Sequence, residues 1–233
     1  MKKRYLFLTA LTIAAVLAQT GHGFAQRERT ITESMSATGL KFIEVHGKVG
    51  SIVVNSSPVM EVRLSLRLTP KTSGFFFRKT GDPNQVQLRQ DRRGDVLELD
   101  LSGDRDNLDE DWVLDVPQSL AARLRMDVGK MRVTGIRGGL EARMDVGDID
   151  VDVPEGNITA ENDVGDIRVS TSTTSYSNVD IQTDVGKVRV SMNGHLVDVR
   201  RAPGSGDSFR MSGSGRDRIW ARTDVGAVEL KIR

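Results

Sequence analysis

From about residue 120 onward, apolar and polar positions alternate in short runs, and the same three residues, Asp-Val-Gly, break each run. The copies begin at Asp127, Asp145, Asp163, Asp184 and Asp224, in steps of 18, 18, 21 and 40 residues. Five positions before each Asp stand Ala122, Leu140, Ile158, Val179 and Ile219; four positions after it stand Met131, Ile149, Ile167, Val188 and Val228. Between them lie mostly charged or polar residues, such as Arg123, Arg125, Glu141 and Arg143 before the corner and Lys130, Arg132, Asp148 and Asp150 after it. Each unit therefore predicts a short half-buried strand, a tight Asp-Val-Gly corner and a second such strand. A fixed period near twenty residues marks a repeat architecture, in which a unit buries its apolar face only against its neighbours.

The expected fold class is all-β: a single-domain β-solenoid of short stacked coils, about 18–21 residues each, with an additional N-terminal β-hairpin sheet. The step of 40 reads as two coils, the missing one being a weaker copy at Val197 to Met211. There Gly204-Ser205-Gly206 replaces Asp-Val-Gly, and Ser208 adds a residue suited to a bulge. An opening coil is expected at Ile43, Val45 and Lys48 to Val54. Between it and the main array, Val59–Thr69, Val86–Gln90 and Asp95–Leu101 predict longer strands joined by hairpins, and Trp112–Val116 a strand leading to Pro117. With strands about 4.8 Å apart, six or seven coils make a rod about 30 Å long.

The first residues do not fit this pattern. Lys2, Lys3 and Arg4 precede an apolar run from Tyr5 to Ala18, and small residues at Gly23 and Ala25 match a signal-peptidase site. The expectation is a signal peptide over residues 1–25 and a β-strand-repeat domain over 26–233. The apolar run is short for a bilayer, and no later stretch is apolar enough to cross one, so no transmembrane segment is expected after cleavage. The formal charge of +1 includes three leader cations, leaving the remainder near −2 with both signs interspersed. That is not the basic footprint of a nucleic-acid binder. The absence of Cys excludes a disulfide framework and a lipidated N-terminal Cys.

Candidate chemistry is sparse. The five Asp residues predict a ladder along one edge, open to two readings. One is a row of carboxylates for Ca²⁺. The other, favoured here, is a structural turn in which Asp127, Asp145, Asp163, Asp184 and Asp224 accept hydrogen bonds from their own corners. Gly129, Gly147, Gly165, Gly186 and Gly226 then supply the positive φ. An acidic loop offers Asp104, Asp106, Asp109 and Asp111 as weak metal candidates, without the Gly and Glu positions of an EF-hand. The loop around Phe75, Phe76 and Phe77, flanked by Arg78 and Lys79, reads as a cap on the stack or as a partner or lipid contact. A left-handed hexapeptide helix fails on Thr134, Asp152, Ser170 and Tyr176, and its enzymes need a histidine that His46 and His195 do not supply convincingly. No Gly-x-Ser-x-Gly elbow, Zn²⁺ spacing, phosphate loop or dinucleotide fingerprint is present, so neither enzyme activity nor a cofactor is expected.

The Gly-Asp-Ile-x-Val corners, Val116-Pro117 ahead of them, and Gly47-Lys48-Val49-Gly50-Ser51-Ile52-Val53-Val54 together resemble the bacterial β-strand-repeat family called putative adhesin, a domain of unknown function. The resemblance spans residues 30–233 and implies an exported or envelope-associated β-solenoid without a known active site. The expected role is a non-enzymatic cell-envelope or secreted protein, periplasmic or beyond, that acts as an adhesin or interaction scaffold. Its partner would be a protein, a glycan or the envelope surface. The alternative is an envelope-stress or signalling component that contacts membrane or a sensor protein.

Overall fold

The structure, a computed structural model, describes residues 28–73, 79–172, 176–201 and 206–233. The chain is all-β, and almost every strand belongs to one extended sheet. In chain order the strands are β1 (Arg29–Ser36), β2 (Phe42–Ser57), β3 (Glu61–Pro70), β4 (Thr72–Ser73), β5 (Lys79–Thr80), β6 (Val86–Arg93), β7 (Val96–Gly103), β8 (Leu108–Pro117), β9 (Ala121–Thr134) and β10 (Leu140–Val153). They continue as β11 (Ile158–Val164), β12 (Ile167–Thr171), β13 (Tyr176–Val185), β14 (Val188–Met192), β15 (His195–Val197), β16 (Arg200–Arg201), β17 (Asp207–Ser212), β18 (Asp217–Val225) and β19 (Val228–Ile232). Among the described residues a single 3-10 turn, at Pro83–Gln85, starts at Asp82, whose carboxylate accepts from the Asn84 amide.

The repeats pair in parallel and in register. Each level has a first limb, a corner and a second limb; β2, β9 and β10 each carry both limbs, whereas β11–β12, β18–β19 and β13–β14 divide at the corner. Corner valines set the order of levels: Val49 pairs with Val128, Val128 with Val146, Val146 with Val164, Val164 with Val225, and Val225 with Val185. The inward positions form aliphatic columns, one running through Ile43, Ala122, Leu140, Ile158, Ile219 and Val179, all buried. Burying an aliphatic side chain of Val or Ile size is worth about 1.5–3 kcal/mol. The columns are therefore the main source of cohesion between levels.

Glycine fixes the register. At Gly147, φ is +136°, and a Cβ built there would overlap the carbonyl oxygen of Gly129 one level below. The same overlap links Gly129 to Gly50, Gly165 to Gly147, Gly226 to Gly165, and Gly186 to Gly226, so the contacts retrace the order of levels. In the later levels the residue before Asp turns inward and bonds the glycine carbonyl below. Asn162 Nδ2 donates to Gly147 O at 2.7 Å, Thr223 Oγ1 to Gly165 O at 2.9 Å, and Thr183 Oγ1 to Gly226 O at 2.9 Å.

This order corrects three expectations. The last coil, β18–β19, does not follow the others but lies between β11–β12 and β13–β14. The terminal strand, β19, thus has both edges paired. The segment Val197–Met211 is not a coil, because β17 runs antiparallel to β13 and to β16. At the other end, β7 and β8, expected in the additional hairpin sheet, form a further parallel level against β2, with only antiparallel strands beyond them. Both ends of the parallel stack close in the same way. Antiparallel β6 and β3 cover β7 and β8, with β1 outside β3; antiparallel β17 and β15 cover β13 and β14. Antiparallel covers need only short connections, so they suit the ends of the stack.

Candidate functional site

The corners form an edge of exposed side chains. Val128, Val146, Val164 and Val225 are 42–46 % exposed and Val185 is 63 % exposed, each preceded by its Asp. Among the described residues, none of the five Asp carboxylates accepts a hydrogen bond from its own corner. The corner amides are already committed between levels: Gly165 N–H donates to Val225 O at 2.8 Å, and Gly226 N–H to Val185 O at 2.9 Å. Carboxylates three positions further on do bond along the stack. Asp148 accepts from the Asp166 amide at 3.3 Å and Asp166 from the Ala227 amide at 2.9 Å. Asp184 and Asp224 share the Arg222 guanidinium at 2.8 and 3.5 Å. The hydrogen bond that Arg222 donates to Asp184 pushes the guanidinium above its ordinary pKa. The corner glycines have the positive φ expected of them.

The acidic loop spreads its carboxylates over separate cations. Asp104 pairs with Lys79 at 3.3 Å, Asp106 with Lys48 at 2.7 Å, Asp109 with Lys71 at 2.7 Å, and Asp111 with Arg67 at 2.8 Å. Asp104 is held below the usual aspartate pKa, first by the Asp106 amide and then by Lys79. For Asp111, partial burial opposes ionisation, but hydrogen bonds from Ser51 and Arg67 outweigh it and lower its pKa. Among the described residues, no three His, Cys, Asp or Glu side chains are placed to hold a metal ion.

Sequence patterning missed a buried charge cluster beside this loop. Glu110 is fully buried where β8 passes the corner of β2, opposite Gly50. Arg105 grips it twice, Nε to Oε1 and Nη2 to Oε2, both at 2.8 Å, and also reaches Asp100 at 2.9 Å and the His46 carbonyl at 3.1 Å. Glu110 Oε2 further accepts from the Trp112 indole at 3.2 Å and the Lys48 amide at 3.1 Å. Burial lowers the pKa of Arg105, yet its bonds to Glu110 and Asp100 raise it above the ordinary value overall. Every polar atom of the pair has a partner, which is the condition for tolerating a buried ion pair. The cluster closes a level that lacks Asp-Val-Gly; the one hint in sequence is a cation inside an acidic run.

The outer faces carry laced charges. On the second limb Arg132, Asp150 and Arg168 line up across three levels, each Arg 3.5 Å from the carboxylate between them, beside a groove of about 310 Å³. On the first limb Arg123 bridges Glu44 and Glu141 and lies over the Phe42 ring, 4.2 Å from its centroid. Trp220 stands on this same face, between Thr159 and Asp180. The contact expected of Phe75, Phe76 and Phe77 lies outside the described residues, as do the residues expected as a signal peptide and the centre of Gly204–Gly206.

No family model matches the chain, and no curated protein matches it. Among solved structures, it is similar to a "putative cell adhesion protein" from Clostridium sporogenes, with a TM-score of 0.61 at 14 % identity, over 89 % of this chain and all of that one. It also matches a "putative adhesin" from Bacteroides fragilis, with a TM-score of 0.36 at 12 % identity, over 89 % of this chain and all of that one. At these identities the first likeness is one of fold, and the second carries no further argument. No helix of the described residues is long and apolar enough to cross a membrane.

Proposed function

We propose that the chain is an exported, non-enzymatic interaction scaffold of the cell envelope, an adhesin-like β-solenoid of stacked coils. The observation that carries this reading is the in-register ladder of corners from Val49 to Val185. Such a ladder gives six levels one shared backbone frame, while the outward side chains are free to differ. The carboxylates that a hydrolase or lyase would need are instead spent in pairs along the faces, as at Arg132–Asp150–Arg168 and Arg222–Asp184. The corner Gly residues have a structural role in this account, and the binding surface is one of the two outer faces. The basic, apolar and small-residue sequence of the first 25 positions directs the chain across the inner membrane. The fold shared with a protein named for cell adhesion supports the same reading.

The test is retention of the labelled mature chain on envelopes isolated from the source organism. Saturable retention, competed by unlabelled chain, is the expected result. Retention no greater than that of a heat-unfolded and recovered control would overturn the reading.

A further inference from the structure

On the outer face of the first limb, most positions are charged or polar side chains, and Trp220 and Phe42 are aromatic exceptions. Its strand neighbours Ile219 and Ala221 are buried, so the indole faces away from the core, half-buried among the outward side chains. The other indole, Trp112, is fully buried and hydrogen-bonded to Glu110. Phe42 on the same face has its ring covered by Arg123. Among the described residues no cation covers Trp220, whose cross-strand neighbours Thr159 and Asp180 are small.

The polar groups around the indole have a particular chemistry. Asn178 and Gln182, on the adjacent strand, flank Asp180 and offer planar amides. Asp180 is committed beneath them, its Oδ2 accepting from Arg210 Nε at 3.0 Å and its Oδ1 buried. Arg218, two residues before Trp220 and on the same face, is exposed and has no carboxylate partner among the described residues. An apolar platform fringed by amides and one unpaired guanidinium suits a ligand with an apolar ring face, equatorial hydroxyls and a negative charge. A protein partner would need about 800 Å² of contact with an apolar centre, which one indole among polar groups does not provide.

Building on the scaffold reading, we infer that Trp220 and Arg218 form a binding platform for a carboxylated polysaccharide. A pyranose ring stacks on the indole, its hydroxyls meet the neighbouring amides, and its carboxylate pairs with Arg218. The inserted last coil places this platform one level in from the end of the parallel stack, with β11 on one side and β13 on the other, so an extended chain has room to lie across the levels.

The probe is oligogalacturonate, titrated into the full mature chain and followed by tryptophan emission. Its methyl ester keeps the ring and removes the charge. The expected result is a saturable emission change with the free acid and about tenfold weaker binding by the ester. Trp220→Ala and Arg218→Ala should each weaken acid binding about tenfold, while Trp220→Phe largely preserves it. Trp112 emission in Trp220→Ala reports that the variant is folded. Undetectable binding of the acid, or equal binding by wild type and folded Trp220→Ala, overturns the platform. Envelope retention separates this failure from a wider one. Wild type that is retained on envelopes but ignores the acid sinks the platform alone; wild type that does neither sinks both readings. Retention abolished by protease treatment of the envelopes and unchanged in Trp220→Ala assigns the partner to protein and also overturns the platform.

Discussion

Replacing Gly226 with Ala tests whether glycine contacts set the spacing of the levels. The new Cβ would overlap the Gly165 carbonyl oxygen, and φ at this position is +148°, which side-chain-bearing residues rarely adopt. Strain of this kind costs about 1–3 kcal/mol, and forcing apart a packed contact costs about 1–3 kcal/mol more. A total of about 4 kcal/mol is a large share of the 5–15 kcal/mol that holds a domain together. For a domain of this size it corresponds to a fall in Tm of roughly 8–16 °C. Gly194 is the control: its φ is +80°, but nothing lies within 4 Å of a Cβ built there. Gly194→Ala therefore carries backbone strain alone, about 1–2 kcal/mol, or roughly 2–8 °C. Scanning calorimetry of both variants decides the matter. Equal shifts, or an unchanged Gly226→Ala, would refute the argument that backbone contact between levels sets the stack.

Glu110→Ala leaves the Arg105 charge buried without its partner and should cost about 3–5 kcal/mol by urea unfolding; a loss under 1 kcal/mol would contradict a closed network. Asp150→Ala removes an exposed pairing and should cost at most about 1 kcal/mol, with envelope retention unchanged; lost retention in a folded variant would move the binding face to the second limb. Asp111 has a folded pKa below its unfolded one, so its stabilising effect is present above the unfolded value and is lost as pH falls through the folded value. Acid titration should accordingly destabilise Asp111→Asn less than wild type, and parallel titration curves would count against the Ser51 and Arg67 bonds as the cause.

Much of the fold could be read directly, because alternation with a fixed corner permits little besides stacked strands. The predicted spacing of first limb, corner and second limb matches the pairing of β9 with β10 residue for residue. The order of levels was less accessible, since backbone pairing rewards any in-register neighbour and sequence proximity favours the wrong one. A signal was nevertheless present in the outward charges. Taken along the chain, Arg168 would face Arg189; with the last coil inserted, Glu229 stands between them, and the column runs Arg132, Asp150, Arg168, Glu229, Arg189. Like charges directly opposite one another are destabilising, and the inserted order avoids that cost. The corner carboxylates misled for a different reason. A tight turn leaves amides free for an Asp side chain, whereas here the next level uses them, as at Gly165 and Gly226. Trp220 was passed over because an aromatic in an alternating strand reads as core until its face is known.

The central claim is that the last coil lies between the third and fourth Asp-Val-Gly copies, which is also what sets Trp220 between Thr159 and Asp180 on the outer face. The chain has no Cys, so paired substitutions at the exposed corner valines give an unambiguous readout. Neighbouring levels lie about 4.8 Å apart, within disulfide reach, whereas levels two apart lie about 9.6 Å apart and beyond it. Oxidation should close an intramolecular bridge in Val164→Cys/Val225→Cys and in Val225→Cys/Val185→Cys, and leave Val164→Cys/Val185→Cys unbridged. A bridge formed readily in Val164→Cys/Val185→Cys, with none in the other two, would show the copies stacked in chain order and contradict the account.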